Sequence, residues 1–432
     1  MTVVDRDTIF AVASGAGRAA IAVMRISGAG SAGLLTALGG KLPAPRRAVL
    51  RRLRAADGAV LDQAMLLWMP GPASYTGEDS GELFLHGGRA VIAGVAEALT
   101  ALGARPAEPG EFTLRAFLNG RMDLLEAEAV GDLIEAETEA QRSQALRQMD
   151  GELGGIYAGW AGRLRWLLAQ QEALIDFPDE DLPPEVEDRI IAEIDALRSD
   201  IRKHLDDGHR GEKLRDGLVF AVSGPPNVGK SSLVNLLADR DVAIVASSPG
   251  TTRDALEVRV VLAGVPVTLV DTAGLRDTDD PIEAEGVRRA RARAAAADYV
   301  LLVGDDRTGV ASDDTRPTLR ICNKTDLGGK VPDGALGVSV LTNAGIGELR
   351  THLAAIARAL TESAGPPPLT RMRHRAGLMT ASERLDAAAQ MDLPELRAED
   401  LRLALGAIGR ITGAVGVEDL LGDIFSQFCI GK

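Results

Sequence analysis

The chain has 432 residues, 46% of them hydrophobic and 25% charged, with a formal net charge of −14 and two cysteines. That length exceeds one ordinary core and implies two to four domains, while the acidic balance excludes a protein whose whole surface grips nucleic acid and leaves room for a local basic patch. Cys322 and Cys429 cannot build a disulfide framework, so a reducing cytoplasm is expected. The apolar runs are too short and interrupted to span a bilayer, and the opening MTVVDRDTIF lacks the basic lead and apolar core of a signal peptide.

Residues 1–118 mix short apolar runs (AAIAVMRI, AMLLWM, ELFLHG) with Gly/Pro punctuation and a helix-like RAVIAGVAEALTAL, and read as an α+β domain. From 119 to 212 the texture is helical. Asp123 and Glu126 have the spacing of a capping box, and the helix they start is expected to run to about Ile175, where DFPDEDLPP breaks it. Ile190, Ile194, Leu197, Ile201 and Leu205 mark the apolar stripe of a second helix, from about Glu185 to Asp206.

From 213 to 364 strand-like runs (GLVFAVSG, VPVTLVDTAG, YVLLVG, LRICNKTD, LGVSV) alternate with helices, the pattern of a mostly parallel, doubly wound sheet. Past the linker ESAGPPPL, residues 365–432 return to helix, from about Thr370 to Gln390 and from Glu395 nearly to the end. Helical segments on both sides of the α/β domain imply a discontinuous helical domain with the α/β domain inserted into it. The chain closes on FSQFCIGK, which spends Phe425, Phe428 and a thiol on a terminus that would ordinarily fray, and so is expected to pack against something. Cys429 stands where a prenylation box would have its cysteine, but Gly431 and Lys432 fit that signal poorly and no polybasic stretch precedes them.

GPPNVGKSS, residues 224–232, follows a strand and opens a helix, the context a phosphate-binding loop requires. Backbone N–H groups of Asn227, Val228, Gly229, Lys230 and Ser231 would wrap the β-phosphate, with Ser232 next in the turn; the Lys230 ammonium would lie between β- and γ-oxygens, and the Ser231 hydroxyl would ligate Mg²⁺. DTAG, 271–274, ends a strand, so Asp271 can hold Mg²⁺ through water while the Gly274 N–H meets the γ-phosphate. PGTTRD, 249–254, offers Thr252 as a further Mg²⁺ ligand once the γ-phosphate orders its loop. NKTD, 323–326, supplies Asn323, Lys324 and Asp326, whose carboxylate can take two parallel hydrogen bonds from guanine. Adenine offers no such donor pair, and four motifs in this order specify a GTPase. Cys322, just before Asn323, reads as a buried strand thiol.

Ras-like enzymes place a water-orienting Gln after the DxxG glycine, and here that position is Leu275. An apolar side chain cannot orient water. The following loop offers Arg276, Asp277, Asp279, Asp280, Glu283 and Glu285, which composition alone reads as a solvated acidic surface.

With RISG, TGED, HGG, PGEFTLRAFLNGRMDLLEAEA, IDFPDED, the four GTPase motifs and the terminal FCIGK, the chain resembles the MnmE (TrmE) family of tRNA-modification GTPases from about residue 8 to the final lysine. The resemblance implies a homodimer with an N-terminal folate-binding and dimerisation domain, a helical domain completed by the C-terminus, and an inserted P-loop GTPase domain. It implies a heterotetramer with the flavoprotein MnmG (GidA) that installs a carboxymethylaminomethyl or aminomethyl group at carbon 5 of the tRNA wobble uridine. The one-carbon donor would be a tetrahydrofolate, in the 5,10-methylene or 5-formyl form. It assigns water positioning to Glu283, and K⁺ to Asn227 and the loop from Ala246 through Ser248 to Thr251. A K⁺ there would supply the charge that an arginine finger gives elsewhere.

The matched folate positions are Arg25, Glu82, Arg121 and Lys432, with Cys429 beside the one-carbon unit, where Lys432 and Arg25 could lower its pKa. Arg121 departs from the lysine common at its position, and Ser339-Val340-Leu341 departs from the usual Ser-Ala-Lys or Ser-Ala-Arg. Two other readings compete: a GTP-switched assembly factor or scaffold, Era- or Der-like, in which the folate positions are vestigial, and a stand-alone methyltransferase, disfavoured because no flavin or S-adenosylmethionine fingerprint appears.

Overall fold

The computed structural model describes residues 7–15, 17–176, 185–241, 257–272, 281–306, 316–362 and 365–431; the side chains of 185, 239–241, 281–287 and 418 lie outside the description. The chain forms two compact units, one of Met1–Gly131, Gly154–Gly162 and Leu405–Lys432, the other of Asp132–Leu153 and Arg163–Ala404.

The first unit is built on six strands: β1 (Ile9–Val12), β2 (Ala19–Ser27), β3 (Val49–Arg54), β4 (Val60–Met69), β5 (Ser80–Gly87) and β6 (Arg105–Pro106). They lie in the order β3-β4-β5-β2-β1-β6, antiparallel except for β1 with β6. Period-two alternation decides which side chains enter the core. Met24 and Ile26 of β2, Leu66 and Trp68 of β4, and Leu83 and Leu85 of β5 bury one face against helices Ser31–Gly39 and Arg89–Ala101 through Leu35, Val95 and Leu99. The residues between them, Val23 and Arg25 on β2 and Glu82 and Phe84 on β5, point to the opposite face. Near one end that face meets the helix Glu111–Leu118, where Ile9, Ala11, Ala107 and Phe112 form a small core with Tyr75 packed on it.

The second unit carries a parallel sheet of β7 (Leu218–Ser223), β8 (Glu257–Leu262), β9 (Val265–Asp271), β10 (Tyr299–Gly304), β11 (Thr318–Cys322) and β12 (Leu336–Gly337). The order is β12-β11-β10-β7-β9-β8, with only the β8–β9 hairpin antiparallel. Alternate residues of β7 bury in opposite directions. Leu218, Phe220 and Val222 meet Leu233 and Leu237 of the helix Lys230–Asp241 and Leu349 and Leu353 of the helix Ile346–Thr361, while Ala221 meets Ala290 and Ala294 of Pro281–Ala295. Helices therefore cover both faces, as the sequence pattern implied. Cys322 is buried in this sheet, as expected of a strand thiol. In the same unit the helix Glu185–Leu205 buries Ile190, Ile194, Leu197 and Ile201 completely, leaves Leu205 half-buried, and packs on Met372–Gln390.

Three expectations need correction. The long helix from Asp123 is three helices, Leu124–Glu135, Glu139–Met149 and Glu152–Asp176. Its start is as expected, with Asp123 and Glu126 exchanging backbone-to-carboxylate bonds of 2.8 Å each. A second capping box at Thr138 and Gln141 restarts the chain, and such a cap is worth about 0.5–2 kcal/mol, enough to prefer a fresh helix to a continuous one. Likewise the segment from Glu395 is two helices, Pro394–Thr412 and Glu418–Ser426; the Ala414 N–H reaches back five residues to the Gly409 carbonyl, closing the first helix with a Schellman-type bond. The run LGVSV contributes only Leu336–Gly337 as strand, because beyond it Ser339 turns to accept and donate side-chain bonds.

Arg115, 1% exposed, is the polar pivot of the first unit. Its guanidinium donates to Glu111 at 2.8 Å, to Asp7 at 2.7 Å and to Glu78 at 3.2 Å. Burial alone would raise the pKa of Glu111; the bonds from Arg105, the Glu108 N–H and Arg115 outweigh it and hold the carboxyl below its ordinary 4.5. We expect Arg115→Met to destabilise the protein by about 3–5 kcal/mol in urea unfolding at pH 7, because Glu111 is left buried with one cation fewer. A carboxylate with a depressed folded pKa stabilises above its unfolded pKa and loses that contribution as the pH falls through the folded value. The gap between wild type and variant is therefore largest above pH 4.5 and narrows as the pH drops below it.

Candidate functional site

In the second unit the sheet order places β7 between β9 and β10, so chain connections leave it in both directions and open a crevice at the carboxyl ends of the strands. The turn from β7 into the helix Lys230–Asp241 stands at that crevice. Asn227 is exposed with a left-handed φ of 64°, and Val228 beside it is buried. Gly229 has φ +94°, and a Cβ there would lie 2.5 Å from the Asn323 amide nitrogen, so no larger residue lets the loop approach the next strand. Lys230, 4% exposed, donates to the Gly224 and Pro225 carbonyls at 2.7 and 2.6 Å, leaving one of its three donors for a phosphate oxygen. Burial lowers its pKa, and the Asp271 charge opposes that shift. Ser231 donates to Asp271 at 2.5 Å, bringing two hard oxygens together at the loop mouth, and Ser232 is exposed on the first turn of the helix.

Asn323 is the link to the base end. Buried to 3% exposure, it donates from its amide to the Val228 carbonyl at 2.8 Å and accepts from the Val340 N–H at 3.3 Å. Lys324, at φ 65°, donates to the Asn227 carbonyl at 2.7 Å and to Asp305 at 3.3 Å. Asp326 is exposed and oriented by Ser339, which donates to one of its oxygens at 2.5 Å. Leu341, 82% exposed, stands beside this end. Asp305 was missed from sequence, and Ser339 was noted there with Val340 and Leu341 but not as the residue that orients Asp326. Ser339 had a signal in its place in the Ser-Ala-Lys-type position; Asp305 had only its place just after β10.

The expected Mg²⁺ ligands fit the chemistry of that ion, which takes one carboxylate, a hydroxyl and substrate phosphates and seldom an all-protein cage. Among the described residues, no group of three or more His, Cys, Asp or Glu could hold a metal without such help. Ala246, Ser248, Thr251, Thr252 and Gly274 lie outside the described residues. Glu283 falls in the helix Pro281–Ala295, but its side chain is likewise outside, as is Lys432.

The remaining expected positions are in the first unit. Arg25 and Glu82 are directly opposed on β2 and β5 and pair at 2.9 and 3.1 Å, with side-chain exposures of 18% and 14%. They are thus a half-buried pair, and the guanidinium also lies 5.1 Å from the Tyr75 ring centroid and 5.9 Å from that of Phe112, neither of which sequence reasoning singled out. Arg121 is exposed beside the Thr76–Glu78 turn, its stem close to Gly77, and Asn119 ties that turn to the helix Glu111–Leu118 by a 2.7 Å bond to the Thr76 carbonyl.

The tail does pack. Phe425 is 3% exposed and stacks at 5.4 Å on Phe428, whose ring lies over Gly131. Ile430 bridges to Pro109, and Gly431, at φ +97°, lies so close to the Val12 carbonyl that a Cβ would be 2.4 Å from it. Cys429 is exposed and lines an apolar cavity of about 1050 Å³ with Phe10, Val12, Met24, Ile92 and Ile430. Met24 and Arg25 project to opposite faces of β2, so within the described residues the structure does not bring the thiol to the Arg25–Glu82 pair.

Residues 8–121 match the family model described as GTP-binding protein TrmE N-terminus, and residues 124–429 match the MnmE helical domain. A protein of Gluconacetobacter diazotrophicus named tRNA modification GTPase MnmE is 62% identical over 430 residues, covering 98% of each chain. Proteins of the same name from Granulibacter bethesdensis and Rhodospirillum rubrum are 56% and 54% identical, covering 99% of this chain and 100% and 99% of theirs. With these relatives matched end to end, the chain belongs to the MnmE family of tRNA modification GTPases.

Proposed function

We propose that this GTPase depends on K⁺ and works with a flavoprotein partner to build an aminomethyl-type group on carbon 5 of the tRNA wobble uridine, taking the carbon from a tetrahydrofolate. The observation that carries the nucleotide half is the convergence of Lys230, the Ser231–Asp271 pair, Asn323 and Asp326 at one crevice of the parallel sheet. Lys230 neutralises oxygens between the β- and γ-phosphates, backbone N–H groups of the loop hold the β-phosphate, and Ser231 with Asp271 and Thr252 would hold Mg²⁺. Asn227 and the loop 246–251 would hold K⁺. Both cations would supply positive charge where negative charge accumulates as the bond to the γ-phosphorus breaks. Glu283 orients the attacking water, the role Leu275 cannot fill.

For the one-carbon half, we assign the pterin to Glu82 and Arg25, with Arg121 and Lys432 on the glutamyl side, in an N-terminal domain that also dimerises. The half-buried Arg25–Glu82 pair beside the Tyr75 ring supports this assignment, since the carboxylate suits the paired N–H donors of a pterin edge. The helical domain is read as discontinuous, residues 119–212 and 365–432, with the GTPase domain 213–364 inserted. A cytoplasmic location suits the chemistry, and no described helix is long and apolar enough to cross a membrane.

Asp326→Asn should weaken GTP binding by roughly tenfold or more, the value of a hydrogen bond to a charged group, and should favour xanthosine triphosphate, whose 2-oxo group accepts from an amide. Titration of both nucleotides checks this, and equal GTP affinity in the two proteins refutes it.

Replacing Na⁺ by K⁺ should raise GTP turnover steeply, and Asn227→Ala should remove much of the response; indifference to the ion would eliminate the cation from the mechanism. Glu283→Ala should cut turnover by about 10²-fold with nucleotide affinity held, as for a group acting mainly in the transition state.

Cys429→Ser should hydrolyse GTP at the wild-type rate in K⁺ yet fail to restore the modified wobble nucleoside in cells lacking the protein. Nucleoside mass spectrometry decides it. Wild-type nucleoside levels would make the thiol a packing residue of the tail.

A further inference from the structure

Between Lys41 and Ala56 the sequence KLPAPRRAVLRRLRAA holds six cations, Lys41, Arg46, Arg47, Arg51, Arg52 and Arg54, and no acidic residue, in a chain of net charge −14. Other arginines of the same unit are paired: Arg25 with Glu82, Arg105 with Asp7 and Glu111, Arg115 with three carboxylates. None of the six forms an ion pair with a described carboxylate. Like charges concentrated without partners repel one another, and a polyanion is the ligand that turns this cost into binding.

The backbone under these side chains is fixed. Arg46 sits at φ 59°, its N–H donates to the Trp68 carbonyl at 2.8 Å and its guanidinium to the Ala73 carbonyl, so the turn before β3 is pinned to the sheet. Arg47 is exposed on that turn and Lys41 on the loop before it. β3 is the edge strand, and Arg52 and Arg54, both exposed, share its outer face at a separation of about 7 Å. Leu50 on the same face and its cross-strand neighbour Met65 are 56% and 42% exposed, and Gln63 stands exposed opposite Arg52. Arginines on an edge strand also discourage edge-to-edge pairing. That accounts for Arg52 and Arg54 but not for Lys41, Arg46 and Arg47, which precede the strand.

We propose that this strip, the 41–47 turn together with the outer face of β3, binds the phosphate backbone of the tRNA substrate; the proposal rests on the tRNA-modification reading above. A predominance of arginine over lysine suits phosphate, which the guanidinium fork meets with two parallel bonds. The contacts are to phosphate, so the strip positions RNA without reading its sequence.

The test uses the full-length chain with Arg47→Gln, Arg52→Gln and Arg54→Gln combined, and a matching triple Lys variant. Binding of an unmodified tRNA transcript is followed by fluorescence anisotropy across a KCl series. The Gln variant should bind at least tenfold more weakly at low salt, and the slope of log K against log[KCl] should fall by about 2, since each phosphate contact contributes roughly 0.7–0.9. The Lys variant should keep both the affinity and the slope. GTP hydrolysis without tRNA should be equal in all three proteins.

A Gln variant with wild-type affinity and slope overturns the proposal. So does one that keeps tRNA affinity but loses binding to polyglutamate, which would make the strip a dock for an acidic protein. Wobble-nucleoside analysis of complemented cells separates the two levels of inference. If the wild type fails to restore the nucleoside, the tRNA-modification reading falls and takes this proposal with it. If it restores the nucleoside while the Gln variant binds tRNA normally, only the strip is lost.

Discussion

The nucleotide site depends on one buried amide. Asn323 donates to the phosphate-binding loop at Val228 and accepts from the base-side loop at Val340, so two segments more than a hundred residues apart are held in one geometry by a single side chain. At 3% exposure neither bond competes with water, and losing either leaves a buried polar group unsatisfied, a cost of about 1–3 kcal/mol. Phosphate and guanine can be bound together only if these loops keep their separation. Lys324 repeats the tie by spanning Asn227 and Asp305.

The same economy governs Asp326. Ser339 holds its carboxylate through one oxygen while the residue stays exposed. The site thus puts its rigid parts in buried side-chain bonds and its reactive faces in the open, the arrangement by which binding energy is spent on orientation. Ser231 and Asp271 follow it too, one helix turn and one strand end meeting at the loop mouth.

In the other unit, charge takes the role that the amide has in the nucleotide site. Arg115 gathers Asp7, Glu78 and Glu111, and through Glu78 and its partner Ser27 it secures the turn next to the Arg25–Glu82 pair. The C-terminal tail is attached by different means, with aromatic packing at Phe425 and Phe428 and a strand-like bridge at Ile430. That attachment brings a scarce thiol to an apolar cavity and leaves it accessible.

What the sequence determined by itself is whatever is read within a few consecutive residues. GPPNVGKSS and NKTD pointed to the GTPase family, and apolar runs alternating with helices to the sheet type; the Asp123–Glu126 cap and the stripe of Ile190, Ile194, Leu197 and Ile201 were legible too. The restart at Thr138 and Gln141 was not read from the sequence, although both residues have capping-box spacing. Only the tertiary structure decided that Asn323 bridges two loops, that Ser339 orients Asp326, that Arg25 pairs with Glu82 near Tyr75 and Phe112, and that Cys429 lies off the face Arg25 occupies. Each of these joins residues from different elements or loops, and such contacts are set by tertiary packing, strand register and the face a side chain takes. A one-residue shift of register between β2 and β5 would reverse the Arg25–Glu82 pairing without altering the local pattern from which the elements are read.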